Sequence, residues 1–96
     1  MNPYYFMFEV EPQSGNPEGA HVSRAIVHVW VFSTDIKEAR EVVLRFFESD
    51  LWEVKEEKQA LLFTPEQVDG LSAADAANYR TAEAEGIHTT FNYWHK

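Results

Sequence analysis

Two segments of the chain are apolar at nearly every position. Residues 4–8 read YYFMF and residues 25–32 read AIVHVWVF. In a β-strand, successive side chains point to opposite faces of the sheet, so His28 and Trp30 share one face and the neighbouring valines share the other. A strand that is apolar on both faces has to be covered on both sides. The pattern therefore predicts a sheet with more apolar area than its own helices cover.

The rest of the chain is divided by turn residues, helix caps and apolar residues at helical spacing. Asp35 with Glu38 predicts the start of a helix, and so do Thr64 with Gln67 and Ser72 with Asp75. Gly86 predicts a left-handed helix end. The predicted elements, in chain order, are a strand over 4–10, a loop over 11–20, a strand over 22–32, a helix from 35, strands over 51–56 and 60–63, helices from 64 and 72, and a strand over 87–95.

We expect residues 1–96 to form one α+β domain. From residue 22 the predicted order is strand, helix, strand, strand, helix, strand, which is the split βαββαβ order of ferredoxin-like folds. Residues 1–21 add an N-terminal strand and a flexible loop. This order predicts an antiparallel sheet of four or five strands with two helices on one face. One alternative stays open, because residues 51–64 form either a hairpin or one bent strand.

The valines of residues 27–31 are expected to lie under the helices, which leaves the opposite side of the sheet bare. Large exposed apolar faces are unusual on monomers, so the bare side predicts a homodimer interface or a pocket. A one-residue bulge would exchange the two faces. The bare side is expected to carry four candidate binding or interface residues: His28, Trp30, Phe91 and Tyr93.

Five segments carry a resemblance, namely YYFMFEVEP, NPEGA, AIVHVWVFSTDIKEAREVV, LWEVKEE and FNYWH. In these segments the chain resembles small uncharacterised bacterial proteins of ferredoxin-like α+β type. The likeness covers nearly the whole chain. Its motifs concern the fold rather than catalysis, so the resemblance implies an order of elements and assigns no functional residue.

The charge balance narrows the choice of partner. The chain has 16 acidic and 8 basic side chains, a formal charge of −8. Nucleic acids and anionic membranes attract Lys- and Arg-rich surfaces, so we expect neither as a partner. A small molecule or a basic protein fits this charge better. The chain has no cysteine, which excludes disulfides, thiolate nucleophiles and Cys-ligated metals. We see no signal peptide or membrane span and expect a cytoplasmic protein.

The sequence predicts no catalytic residue, metal site or cofactor. His21 and His28 are seven residues apart, as are His88 and His95, and this odd spacing puts the members of each pair on opposite faces of a strand. No nucleophile-elbow or phosphate-loop motif is present. His28 lies within an apolar strand, where a core or interface position is the commoner role and acid–base or ligand-orienting chemistry is the alternative.

These observations leave two functions of different class. The favoured one is a non-enzymatic oligomeric or interaction module, built as a homodimer. The alternative is a small-molecule-binding protein, or a small enzyme of the dimeric α/β-barrel type, with a pocket on the open face of the sheet. Polar side chains that converge on a cavity beside His28 and Trp30 would favour the alternative.

Overall fold

The fold is built around a four-stranded antiparallel sheet. A computed structural model describes all residues, 1–96, of the chain. Its strands are β1 (Asn2–Pro12), β2 (Val22–Ser33), β3 (Trp52–Leu62) and β4 (Ile87–His95), and they lie in the order β3-β1-β2-β4. Its helices are α1 (Ile36–Ser49), α2 (Pro65–Asp69) and α3 (Ala73–Glu85), with a 3-10 helix over Pro17–Ala20. The predicted α+β class and antiparallel sheet are confirmed.

The register of the β1–β2 hairpin fixes the two faces of the sheet. Phe6 lies opposite Val29, and Tyr5 lies opposite Trp30. Directly opposed residues of an antiparallel pair point to the same face. We call the side that carries Phe6 and Val29 the α1 face, and the side that carries Tyr5 and Trp30 the α3 face, after the helices that cover them.

The α1 face holds the main hydrophobic core. Helix α1 packs Phe47 edge-on against Phe8, with 5.4 Å between the ring centroids, and neither side chain is exposed by more than 1%. The predicted N-cap, Asp35, accepts a hydrogen bond from the Glu38 N–H. The valines of residues 27–31 lie in this core, as the apolar pattern predicts. The other fully buried members are Phe6, Val10, Val22, Ala25, Ala39 and Val43.

Helix α3 covers the opposite face of the sheet. The ring of Tyr79 lies 5.5 Å from that of Trp30 and 5.2 Å from that of Phe32. The expected placement of two helices on one face is therefore wrong, and the face with Trp30 does not lack helical cover. The physical reason is that β2 is apolar on both sides and α1 occupies only one of them. The chain returns from the β3 edge to the β4 edge across the side that α1 leaves open.

Residues 52–62 form one strand, so the open alternative resolves in favour of a single irregular strand rather than a hairpin. Its register against β1 shifts twice, between Met7 and Phe8 and between Glu9 and Val10. Such shifts bend a strand and strengthen its twist. The sheet consequently has four strands, and β1 is one of its two central strands.

The loop after β1 is fixed by Asn16. Its side chain is 8% exposed, caps the 3-10 helix at the Glu18 N–H, and donates to the carbonyl oxygens of Asp50 and Leu51 at 3.3 and 2.8 Å. This anchorage joins the loop to the end of α1. Among the helices of the fold, none has the combination of length and apolar sequence that crossing a membrane requires.

Candidate functional site

The largest cleft of the molecule lies between the α3 face of the sheet and the first half of α3. Its volume is about 570 Å³. Strands β1, β2 and β4 form its floor, and the segment from Phe63 into α3 forms its walls. The lining residues are Tyr5, His28, Trp30, Phe63, Leu71, Ala74, Asp75, Asn78, Thr90 and Asn92. Two of the four candidate residues from the sequence, His28 and Trp30, are therefore in this site.

The floor of the cleft carries a phenol–imidazole pair. The Tyr5 hydroxyl lies 2.5 Å from Nδ1 of His28. Burial raises the pKa of Tyr5 above its ordinary value of 10.0, and the negative charge of Asp75 raises this pKa further. The phenol is therefore protonated at neutral pH. When His28 is neutral, Tyr5 donates to Nδ1 and the imidazole proton is held on Nε2.

Three aromatic rings, including that of Tyr5, form an apolar surface that runs from the floor of the cleft to Phe63, and we call this surface the apolar wall. The ring centroids of Tyr5, Trp30 and Phe63 lie 4.7 to 5.9 Å from one another. At these separations the rings are in mutual contact, so they form one surface rather than a cage with space between them. Trp30 is only 4% exposed, so it contributes little of the surface that a ligand could contact. The exposed part of the wall is provided mainly by its two neighbours.

The opposite rim of the cleft is polar. Asp75 and Asn78 are three residues apart on α3, a spacing that puts both on one side of a helix. Thr90 and Asn92 are two residues apart on β4 and face the same side of the sheet. Asp75 is the only acidic side chain in the lining, and no Lys or Arg is present. The cleft therefore favours a ligand group that is neutral or positively charged.

The other two candidate residues are on the opposite face. Phe91 pairs with Val27 in the register of β4 against β2, whereas His28 pairs with Thr90. Phe91 and Tyr93 consequently lie on the α1 face, with their ring centroids 5.2 and 6.1 Å from that of Trp52. The expectation that all four residues share one face is wrong. The pairing of β4 with β2 differs by one residue from the pairing that the expectation requires, and a one-residue difference exchanges the faces of a strand.

Phe91 and Tyr93 line a shallower groove of about 430 Å³ next to the 3-10 helix. Burial raises the pKa of Tyr93, and the carboxylate of Glu18 raises it further. The rings of Phe91 and Tyr93 continue an aromatic row from the hydrophobic core to the sheet edge. Their surroundings are those of packed aromatic side chains, and the convergence of polar groups is on the other face.

Sequence reasoning missed Tyr5, Asp75 and Asn78 as site residues. One sequence feature points to two of them: Asp75 and Asn78 are polar residues at helical spacing within an alanine-rich segment. Tyr5 lies in an apolar run. The sequence alone does not distinguish a tyrosine whose ring only packs against its neighbours from one whose hydroxyl also donates to a histidine. The four histidines are dispersed, and no group of three or more His, Asp or Glu side chains is placed to hold a metal ion.

Comparison of the chain with models of known protein families, with curated proteins and with solved structures finds no match.

Proposed function

We propose that this protein binds a small organic molecule in the cleft above Tyr5, His28 and Trp30. One observation carries the proposal: an apolar wall and several polar side chains converge on the same concave space. Ligand sites are typically clefts of roughly 300–1,000 Å³ with an apolar lining and a few placed polar groups. The volume and composition of this cleft agree with that description. The proposal follows the small-molecule alternative of the sequence analysis rather than the purely structural module.

The lining indicates the chemistry of the ligand. A flat or aliphatic part of the molecule packs on Tyr5 and Phe63, where burial of apolar surface stabilises the complex by roughly 25 cal/mol per Å². Hydroxyl, amide or amine donors face Asp75, and the amides of Asn78 and Asn92 accept or donate as required. A carboxylate or phosphate on the ligand would meet Asp75 with no Lys or Arg to compensate its charge.

A small enzyme that uses the same cleft is the second candidate, and the Tyr5–His28 hydrogen bond favours it. A phenol and an imidazole in contact can pass a proton to or from a bound molecule. Binding and catalysis make different predictions for the ligand. A bound molecule that is recovered unchanged supports a binding protein, and one that is converted supports an enzyme.

The test is a fragment screen followed by backbone-amide NMR. We expect bound fragments to be neutral or cationic and to shift the amides of His28, Asp75 and Thr90. The variant Ala74→Trp fills the cleft from its rim, so it should abolish these shifts. Ala74 is exposed, so the replacement removes no core contact.

The matched control is Ala84→Trp, which adds the same side chain at an exposed position of α3 outside the cleft. It should leave fragment binding unchanged. The proposal fails if no neutral or cationic fragment shifts these amides. It also fails if the two tryptophan variants respond alike, since binding would then not depend on the cleft.

A further inference from the structure

The two outer edges of the sheet differ in charge. Strand β4 contains no Asp, Glu, Lys or Arg from Ile87 to His95. Strand β3 has five such residues among eleven, and its pairing with β1 is irregular at two points. Charged side chains and bulges are the features that protect a sheet edge from adding another strand. The β3 edge has this protection and the β4 edge lacks it.

The backbone of β4 has hydrogen-bonding groups directed outward. The Phe32 N–H donates to the Gly86 carbonyl at 2.9 Å, so the even-numbered residues of β4 direct their backbone N–H and C=O groups toward β2. Because the direction alternates along an antiparallel strand, Ile87, Thr89 and Phe91 direct their N–H and C=O groups away from the sheet. These groups form the beginning of a ladder for a further strand.

Two large side chains flank the same edge on opposite faces. Tyr93 is 39% exposed on the α1 face, and Trp94 is 43% exposed on the α3 face. A ligand or helix that packs on one face would cover only one of these rings. A strand added to the edge would place side chains beside both, because its residues alternate between the two faces.

We propose that β4 pairs with β4 of a second copy of this chain, in the antiparallel direction, to form a continuous eight-stranded sheet. A second copy fits because an antiparallel pair of identical strands is closed by a two-fold axis and is self-complementary. The chain carries a charge of −8, so two copies repel each other over most surfaces. The uncharged β4 edge is where this repulsion is weakest. Main-chain hydrogen bonds supply the pairing, as in other strand additions.

This assembly is independent of the proposed ligand but has a consequence for the cleft. Thr90 and Asn92 belong to both β4 and the cleft lining. Self-pairing would therefore set the two clefts side by side on one face of the joined sheet. Ligand binding and assembly can be tested separately, because the variants below change neither of these two side chains.

The first test is the mass in solution of the full chain and of Thr89→Pro, measured by light scattering over a concentration series. Proline at residue 89 removes an outward N–H and leaves the ladder with β2 intact. We expect the wild type to have twice the mass of one chain and the variant to have the mass of one chain. Thr89→Ala, which retains the N–H, should remain a dimer.

A second pair of variants applies if the proline variant does not fold. Thr89→Glu adds a negative charge to the edge in each copy, and Thr89→Gln adds a side chain of the same shape without charge. We expect the Glu variant to be monomeric at low salt and the Gln variant to be dimeric. A wild-type chain that stays monomeric at NMR concentrations overturns the proposal. A Glu variant that dimerises as well as the Gln variant also overturns it.

Discussion

Tyr5 and His28 are joined side chain to side chain across the β1–β2 hairpin, with 2.5 Å between the phenol oxygen and Nδ1. They are diagonal neighbours, because Tyr5 lies opposite Trp30 and His28 lies opposite Met7. Diagonal pairs in antiparallel strands are within reach of long side chains. The contact thus depends on the register of the hairpin, and it holds the Tyr5 phenol at the cleft, where burial and then the carboxylate of Asp75 raise its pKa.

Tyr5→Phe should reduce the loss of stability at alkaline pH. The pKa of Tyr5 is raised in the folded protein, so its contribution to stability is fully present below about pH 10 and is lost as pH rises through the folded pKa. Urea unfolding at neutral pH and above pH 10 measures the difference. Tyr79 and Tyr93 also have raised pKa values, so part of the loss should remain. An unchanged alkaline slope would contradict the assigned burial of Tyr5.

Asp75→Asn should lower the pKa of Tyr5 without returning it to the ordinary value. Burial is the larger cause of the raised pKa, and the carboxylate of Asp75 is the smaller one. Ultraviolet titration of tyrosinate, with Tyr5→Phe as the reference that identifies this phenol, measures the change. Glu83→Gln is the control, since Glu83 raises the pKa of Tyr79 and should leave Tyr5 unaffected.

The local elements could be predicted from the sequence because they depend on neighbouring residues. The caps at Asp35, Thr64 and Ser72 and the left-handed end at Gly86 are all present in the structure. Each depends on a side chain and a backbone group within a few residues. The same holds for the alternation that puts the valines of β2 in the core.

The site could be predicted only in part, because its geometry depends on long-range register. The position of His28 and Trp30 in an apolar strand predicts both as site residues. The prediction for Phe91 is wrong, because the pairing of β4 with β2 cannot be obtained from either strand alone. The placement of α3 could not be predicted either, because its alanine-rich sequence has no marked apolar stripe. In the structure, Tyr79 of this helix packs against Trp30.

Gly86→Ala should destabilise the fold, whereas Gly70→Ala should not. Gly86 has φ of 93°, a conformation that costs a residue with a side chain roughly 1–2 kcal/mol. Gly70 has φ of −87°, and a methyl group there would meet its neighbours at an ordinary distance of 3.6 Å. Alanine at 70 should be neutral or stabilising by up to about 1 kcal/mol, because it restricts the unfolded chain. Urea unfolding of the two variants measures both effects, and equal losses would contradict the assigned backbone conformations.

The ion pair between Arg40 and Glu57 should make a small contribution to stability. Two guanidinium nitrogens lie 2.7 and 3.2 Å from the two carboxylate oxygens, which joins α1 to β3. Both side chains are about one-third exposed, so a double-mutant cycle with Arg40→Gln and Glu57→Gln should give a coupling of about 0.5–1 kcal/mol. The 3.6 Å pair of Lys55 with Glu53 is the control and should give a coupling near zero. Equal couplings would show that the two-pronged geometry is not maintained in solution.

Asn16→Ser and Asn16→Ala should separate the two roles of the Asn16 side chain. A serine oxygen can still cap the 3-10 helix, but it cannot reach the carbonyl oxygens of Asp50 and Leu51. Alanine loses the cap as well. Because each buried hydrogen bond contributes about 1 kcal/mol, we expect a loss of about 1–2 kcal/mol for serine and about 1 kcal/mol more for alanine. Urea unfolding gives the losses, and amide hydrogen exchange of residues 13–19 should accelerate in both variants. If exchange in this loop does not change, the connection from Asn16 to the end of α1 is not what holds the loop in place.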